Sequence, residues 1–131
     1  MMFAATLAGI GFGNAGTHLP HGMAVLVNTP AVCRLTAATC PERHLLAARA
    51  LGADACSAGY DDAGEVLAAR IIELMHATNM PNGLRGLGYT ASDLEALTNG
   101  AFLQKRLIAN APLEVSREDL RELFADALSY W

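Results

Sequence analysis

The chain has few aromatic and few charged side chains. Aromatic residues make up 6% of its 131 residues and charged residues 17%, whereas apolar residues reach 53%, with Ala, Leu and Gly dominant. This composition favours helices packed closely through small side chains over a β-sandwich. We therefore predict an all-α fold, a multi-helix bundle in which residues 1–131 form a single domain.

Basic residues and paired cysteines are also scarce. The nine Lys and Arg residues are spread along a chain of net charge -4, which gives no basic surface for phosphates, so we predict no nucleic-acid partner. Cys33, Cys40 and Cys56 are odd in number and have no CxxC spacing. They are typical of small buried side chains in a reducing compartment, which predicts a cytoplasmic protein.

No charged residue occurs from Met1 to Cys33. A secretory signal needs a positive start, and a membrane span needs about 20 apolar residues. This stretch has no positive start, and polar or helix-breaking residues interrupt it at Asn14, His18, Pro20, His21 and Asn28. We predict a segment buried in protein and no membrane partner.

Helical periodicity and helix breakers divide the chain. The pattern predicts a helix over residues 1–12 and a second that starts at Pro20 and runs to Thr39, with a kink or break at Pro30. Further helices are predicted over residues 41–51 and 61–78 and after a cap at Thr90 or Ser92, followed by an apolar run from Gly100 to Asn110 and a last helix from Ser116 to Trp131. Gly, Pro and Asn are dense between Asn79 and Thr90, which predicts an ordered loop of the kind that borders sites.

The stretch GFGNAG at residues 11–16 fits the dinucleotide-binding pattern G-x-G-x-x-G. That pattern needs a preceding β-strand and an acidic residue about 20 positions later. Only Ala-rich residues precede it, and the next acidic residue is Glu42, so we do not predict nucleotide binding there.

The histidines are the remaining candidates for chemistry. His18 and His21 lie near a predicted helix start, and imidazoles are good ligands for iron or zinc. Two ligands are fewer than a catalytic metal usually has, so capping or packing is the alternative. His44 and His76 are predicted to be structural or exposed, and no residues form a nucleophile or paired-carboxylate pattern, so we predict no catalytic residues.

Several segments together resemble the C-terminal helical domain of iron-containing alcohol dehydrogenases, most closely the hydroxyacid-oxoacid transhydrogenase branch. These segments are GIGFGNAGTHL, PHGMAVLVNTPAV, PERHLLAARALGAD, PNGLRGLGYTASDLEAL and QKRLIANAPLEVSREDLRELF. The resemblance implies an α/β domain that binds NAD(P) and a helical domain whose Asp and three His hold a divalent metal. The nucleotide-binding α/β domain is absent from these 131 residues, as is the segment that would carry the Asp and the first His.

The resemblance makes His21 the best metal candidate, with His18 as a neighbour of the ligands. The connection after Leu19 is shorter than the family pattern, so His21 matches either the last ligand or the one before it. We expect weak binding of Fe or Zn, NAD(P) only if another chain supplies the nucleotide domain, and self-association through exposed apolar surface.

Three hypotheses follow. The first is a truncated or stand-alone helical domain related to iron-containing alcohol dehydrogenase, without complete catalytic activity on its own. The second is the metal- and substrate-binding part of an alcohol or hydroxyacid oxidoreductase that a separate nucleotide-binding chain completes. The third is an unrelated helical interaction module.

Overall fold

The structure, a computed structural model, describes residues 27–131, and this part of the chain is helical without β-strands. Its α-helices are α1 (Thr29–Thr36), α2 (Pro41–Ala50), α3 (Ala63–Ala77), α4 (Leu94–Phe102), α5 (Lys105–Ile108) and α6 (Arg117–Asp126). Short 3-10 helices at Ala37–Thr39, Arg85–Leu87 and Ala91–Asp93 lie in the connections. The predicted all-α fold is confirmed, while the helix predicted over residues 1–12 lies outside the described residues.

Pro30 begins a helix and does not kink one. It lies in the first turn of α1, where a backbone N–H would have no partner inside the helix. Of the predicted kink or break at Pro30, the described part shows a helix boundary, because the proline ring fits the first turn better than the interior of a helix. The helix continues after Thr36 only as the 3-10 turn Ala37–Thr39.

Two further helix bounds differ from the prediction. Gly100 lies inside α4, and the break comes at Leu103 and Gln104. A glycine weakens a helix by only about 1 kcal/mol, and α4 is held by a buried face that includes Leu94, Thr98 and Ala101.

The last helix ends at Asp126, five residues before Trp131. The two residues after the helix bind the loop before α4, since Leu84 N–H donates to Ala127 O at 2.9 Å and Arg85 N–H to Leu128 O at 3.0 Å. The start of α6 is as predicted, with Ser116 and Asp119 forming a reciprocal capping box.

The main core lies between α1, α4 and α6, with Leu84 from the loop before α4. Its fully covered centre consists of small and branched side chains and one aromatic ring, including Ala31, Val32, Leu120, Leu123 and Phe124. A smaller cluster of Leu45, Ala55 and Ala63 lies where α2 meets the start of α3. Burial of these apolar side chains is the main force holding the helices together.

Helices α1 and α3 approach closely at Gly64. A Cβ atom at this position would lie 2.8 Å from the Cβ of Ala37 and 3.1 Å from the Cα of Arg34. No ordinary carbon pair approaches so closely, so the contact depends on glycine. This contact brings the start of α3 directly against the end of α1.

Candidate functional site

The predicted metal ligands His18 and His21 lie outside the described residues, so their role remains a prediction. The described chain begins at Val27, six residues beyond His21. Val27 and Asn28 are both buried, so the chain enters α1 through the protein interior. Val27 and Asn28 are the described residues closest along the chain to the predicted ligands.

The hydroxyl of Tyr130 holds the backbone where α1 begins. It donates a hydrogen bond to the Val27 carbonyl oxygen at 2.7 Å. The side chain of Asn28, at the N-cap position, makes no capping bond. A residue near the other end of the chain thus fixes the entry of the chain into α1.

The environment of Tyr130 keeps its hydroxyl protonated. Burial raises the pKa of this phenol well above its ordinary value, because the charged form is poorly solvated inside the protein. The hydroxyl therefore remains a hydrogen-bond donor to Val27 throughout the physiological pH range. The hydrogen bond from Tyr130 to the Val27 carbonyl is therefore not lost by titration in this range.

Asn82 holds the backbone on either side of this tyrosine. Its Oδ1 accepts from the N–H groups of Tyr130 at 2.8 Å and Trp131 at 3.2 Å, and its amide nitrogen donates to the Trp131 backbone oxygen. The neighbouring Gly83 has φ of 59° and lies against the carbonyls of the two residues that follow α6. The loop predicted between Asn79 and Thr90 is ordered, and it anchors the C-terminal tail.

Arg34 joins three helices. Its guanidinium binds both carboxylate oxygens of Glu65 on α3, at 2.7 and 3.1 Å, and Asp126 on α6 at 3.0 Å. The hydrogen bond to Glu65, with the nearby Asp126 charge, raises the pKa of Arg34 above its usual value, and the same bond lowers the pKa of Glu65. These three side chains are partly exposed, so their ion pairs add little stability. Their main effect is to fix the orientation of α1.

The other two histidines have structural contacts, in agreement with the prediction. His44 lies between the hydroxyl of Thr36 at 3.2 Å and the carbonyl of Cys40 at 2.9 Å, and so bridges α1 and α2. The ring of His76 meets that of Trp131 edge to face, with centroids 5.1 Å apart. Neither ring points to a group of further metal-binding side chains within residues 27–131.

Residues 27–131 contain no group of three or more His, Cys, Asp or Glu side chains able to hold a metal ion. The cysteines are free in this part of the chain, and burial raises the pKa of the Cys33 thiol to about 11. A thiol with such a pKa is a poor ligand and nucleophile at neutral pH. The prediction that all three cysteines are buried is wrong: Cys33 and Cys40 are half-buried, and Cys56, in the connection between α2 and α3, is exposed.

A cleft of about 480 Å³ lies where α1, α2 and α3 meet, beside Gly64. Its polar lining comes from Arg34, Tyr60, Asp61 and Glu65. Arg34 is already bound to two carboxylates, and the Tyr60 hydroxyl donates to Glu42 at 2.9 Å, which raises the pKa of Tyr60. These lining residues include no pair of nucleophile and base, so the cleft has no catalytic arrangement.

No pattern in the sequence pointed to Tyr130, Asn82 or Arg34. Each acts through a partner far away in the chain, and none belongs to a local motif. The density of turn residues around Asn82 was the only signal, and it predicted an ordered loop without its partner. No helix among the described residues is long and apolar enough to cross a membrane.

Comparison with known proteins identifies the wider group. The sequence profile of the Fe-containing alcohol dehydrogenase family, C-terminal region, matches residues 1–128. Probable mitochondrial hydroxyacid-oxoacid transhydrogenase of Dictyostelium discoideum is 37% identical over 159 residues, covering 100% of this chain and 29% of the relative. The mitochondrial hydroxyacid-oxoacid transhydrogenase of Homo sapiens is 36% identical over 158 residues, covering 100% of this chain and 34% of that protein.

The alignments are longer than this chain of 131 residues, so both relatives carry residues in the aligned region that have no counterpart here. This agrees with a connection shortened relative to the family pattern. The chain also spans only about a third of the length of these relatives.

A solved structure gives the same assignment. The crystal structure of a 1,3-propanediol oxidoreductase matches with a TM-score of 0.69 and 26% identity, over 83% of this chain and 28% of that protein. The hypothesis of an unrelated helical module is therefore wrong. The chain belongs to the Fe-containing alcohol dehydrogenase family and corresponds to its C-terminal region.

Proposed function

We propose that this polypeptide is a helical portion of an iron-containing alcohol dehydrogenase relative that binds a divalent transition metal weakly through His21, with His18, and does not complete the oxidoreductase reaction alone. The single observation that supports this is the family match over residues 1–128 in a chain that spans about a third of its relatives. The family is iron- and NAD-dependent, and the metal is proposed here as Fe or Zn.

The imidazoles of His18 and His21 are suitable ligands for such a metal, but two ligands are few. Imidazole nitrogens suit Fe²⁺ and Zn²⁺, whereas a catalytic centre normally has at least three protein ligands. Residues 27–131 offer no ligand cluster of their own. Weak binding by the histidines is therefore what this chain's donors support.

Metal titration of the purified chain tests this proposal. We expect Zn²⁺ to bind with low affinity, as measured by calorimetry, and His21→Ala to reduce the affinity at least tenfold, with a smaller loss for His18→Ala. His44→Ala is the matched control, because His44 bonds Thr36 and Cys40. Equal affinities for His21→Ala and the wild type would contradict the proposal, as would alcohol oxidation by the chain alone with NAD⁺ and metal.

The alternative is that a separate chain supplies the nucleotide-binding half and the remaining ligands. The share of the relatives that lies outside the alignments favours this idea. Co-expression with a candidate nucleotide-binding chain tests it. Oxidoreductase activity with NAD(P) when both chains are present, and none with either chain alone, would support the two-chain enzyme. A stable complex of the two chains without activity would contradict it.

We also propose that the chain self-associates through apolar side chains that the fold leaves uncovered. Leu103 is 76% exposed and Leu46 is 64% exposed, and contact with a second copy would remove these apolar side chains from water. Light scattering should give a mass above that of one chain, and a monomer at high concentration would oppose this proposal. Our proposed location is the cytoplasm, whereas the names of the two relatives place them in mitochondria, and cell fractionation distinguishes the two.

A further inference from the structure

We propose that Asn82 is a site of spontaneous covalent modification, where deamidation of the side chain releases the C-terminal tail, residues 128–131. Within residues 27–131 two asparagines precede a glycine, in Asn82–Gly83 and Asn99–Gly100. Asparagine is thermolabile, and a following glycine favours loss of its amide, because glycine has no Cβ to hinder attack by its own backbone nitrogen. The folded chain distinguishes the two sites, and it does so independently of any metal binding.

The reaction needs no reagent other than water. The Gly83 nitrogen attacks Cγ of Asn82, a C–N bond forms that closes a succinimide ring, and the bond between Cγ and the amide nitrogen breaks. The proton of the Gly83 N–H passes through solvent to this nitrogen, which leaves as ammonia. Water then adds across one of the two imide C–N bonds, so that position 82 carries aspartate or isoaspartate. Because the reacting groups belong to adjacent residues, the first step is intramolecular.

The C-terminal tail polarises the amide that is attacked. Asn82 Oδ1 accepts hydrogen bonds from the backbone N–H groups of Tyr130 at 2.8 Å and Trp131 at 3.2 Å. Negative charge develops on this oxygen when a nitrogen attacks Cγ, and two fixed N–H donors stabilise such a charge. Asn82 is partly exposed, so water reaches the amide. The bonds that hold the tail therefore also promote loss of the amide.

The attacking nitrogen distinguishes Asn82 from Asn99. Gly83 lies outside the helices, and its N–H makes no hydrogen bond within residues 27–131. Gly100 lies inside α4, where the N–H groups are engaged in the i→i−4 bonds of the helix. The Oδ1 of Asn99 is polarised as well, by the Arg117 guanidinium at 2.9 and 3.2 Å. The two sites thus differ in the nucleophile, and only Asn82 has one that is free to react.

Loss of the amide removes a bond that holds the tail. The Asn82 amide nitrogen donates to the Trp131 backbone oxygen, and in aspartate a charged acceptor faces that oxygen instead. Isoaspartate adds a methylene to the backbone beside Gly83. There is no room for such a shift, because a Cβ added at Gly83 would lie 2.5 Å from Leu128 O. Both products therefore disfavour the bound position of the tail.

The rates at the two sites test the chemistry. The purified full chain is incubated in mildly alkaline buffer, folded or in urea, and tryptic peptides containing position 82 or 99 are followed by mass spectrometry. In the folded chain we expect Asn82 to lose its amide at least tenfold faster than Asn99. In urea the two rates should converge, because both glycine nitrogens are then free. Equal rates in the folded chain would overturn the proposal, as would an Asn82 amide that is lost only in urea.

Hydrogen exchange tests the release of the tail. Asn82→Asp reproduces one product and should speed exchange several-fold in a peptide covering residues 128–131. Asn99→Asp is the matched control, because its new carboxylate faces Arg117, and it should leave this exchange unchanged. Unchanged exchange in Asn82→Asp, or equal acceleration by both variants, would contradict release. If Asn82→Asp does not fold, the aged wild type is compared with the fresh wild type, and the same two outcomes decide.

Discussion

The loop that anchors the C-terminal tail should be far more sensitive at Gly83 than at Gly88, although both glycines have positive φ. Gly83 has φ of 59° and Gly88 has φ of 92°. A Cβ added at Gly83 would lie 2.5 Å from Leu128 O and 2.6 Å from Ala127 O, whereas one at Gly88 has nothing within 4 Å. The pair separates backbone strain from steric overlap.

The expected magnitudes follow from these two differences. A left-handed backbone costs an alanine about 1–2 kcal/mol, which applies at both sites. Overlap with packed atoms adds about 1–3 kcal/mol, and it applies only at Gly83, where the neighbours are backbone carbonyls that cannot rotate away. We therefore expect Gly83→Ala to lower the free energy of unfolding by about 1–3 kcal/mol more than Gly88→Ala.

Urea unfolding followed by circular dichroism measures both variants against the wild type. The midpoint should fall clearly for Gly83→Ala and slightly for Gly88→Ala, with unchanged slopes. Near-equal losses would refute the reasoning, because they would mean that the close approach of the loop to the end of α6 does not limit stability.

Two further changes test the packing of α1. Gly64→Ala should destabilise the fold by about 1–2 kcal/mol, because overlap with Ala37 and Arg34 exceeds the gain in helix propensity; a raised melting temperature in calorimetry would contradict this. Glu65→Gln should lower stability at pH 7 but not at low pH. The pKa of Glu65 is held below its ordinary value of 4.5 by Arg34, so its contribution is present above that pH and is lost as the pH falls through the lowered value. A difference between Glu65→Gln and wild type that persists at pH 2 would show that charge is not the cause.

Local signals were enough to predict most helices of the described part and the capping box of α6. Helical spacing and the Ser116 capping box predicted the start of α6, and breakers predicted α2 and α3 nearly as observed. The predicted end of α6 was wrong because a contact with residues far away in the chain decides where this helix ends. The tail after Asp126 leaves the helix because Leu84 and Arg85 bind the carbonyls of Ala127 and Leu128, and no rule about neighbouring residues reveals such a contact.

The residues of the candidate site also fall into two groups, those that the sequence alone reveals and those that only the fold brings together. The imidazoles of His18 and His21 are evident in the sequence, and their assignment came from resemblance to a family that the comparisons show. The residues that fix α1 have no such signal. Arg34 reaches Asp126 across 92 positions, and Tyr130 reaches Val27 across 103, so only the folded chain brings them together.

These long-range contacts hold α1 in position in three ways. Just before one end of it Tyr130 from the tail bonds the Val27 carbonyl, and near its other end the packing against Gly64 admits no extra atom. Arg34 fixes the rotation of the helix through Glu65 and Asp126. A helix constrained in these three ways cannot shift or rotate independently of α3 and α6. Val27 and Asn28, which lead into α1 and are both buried, are therefore attached to a helix that is fixed to α3 and to α6.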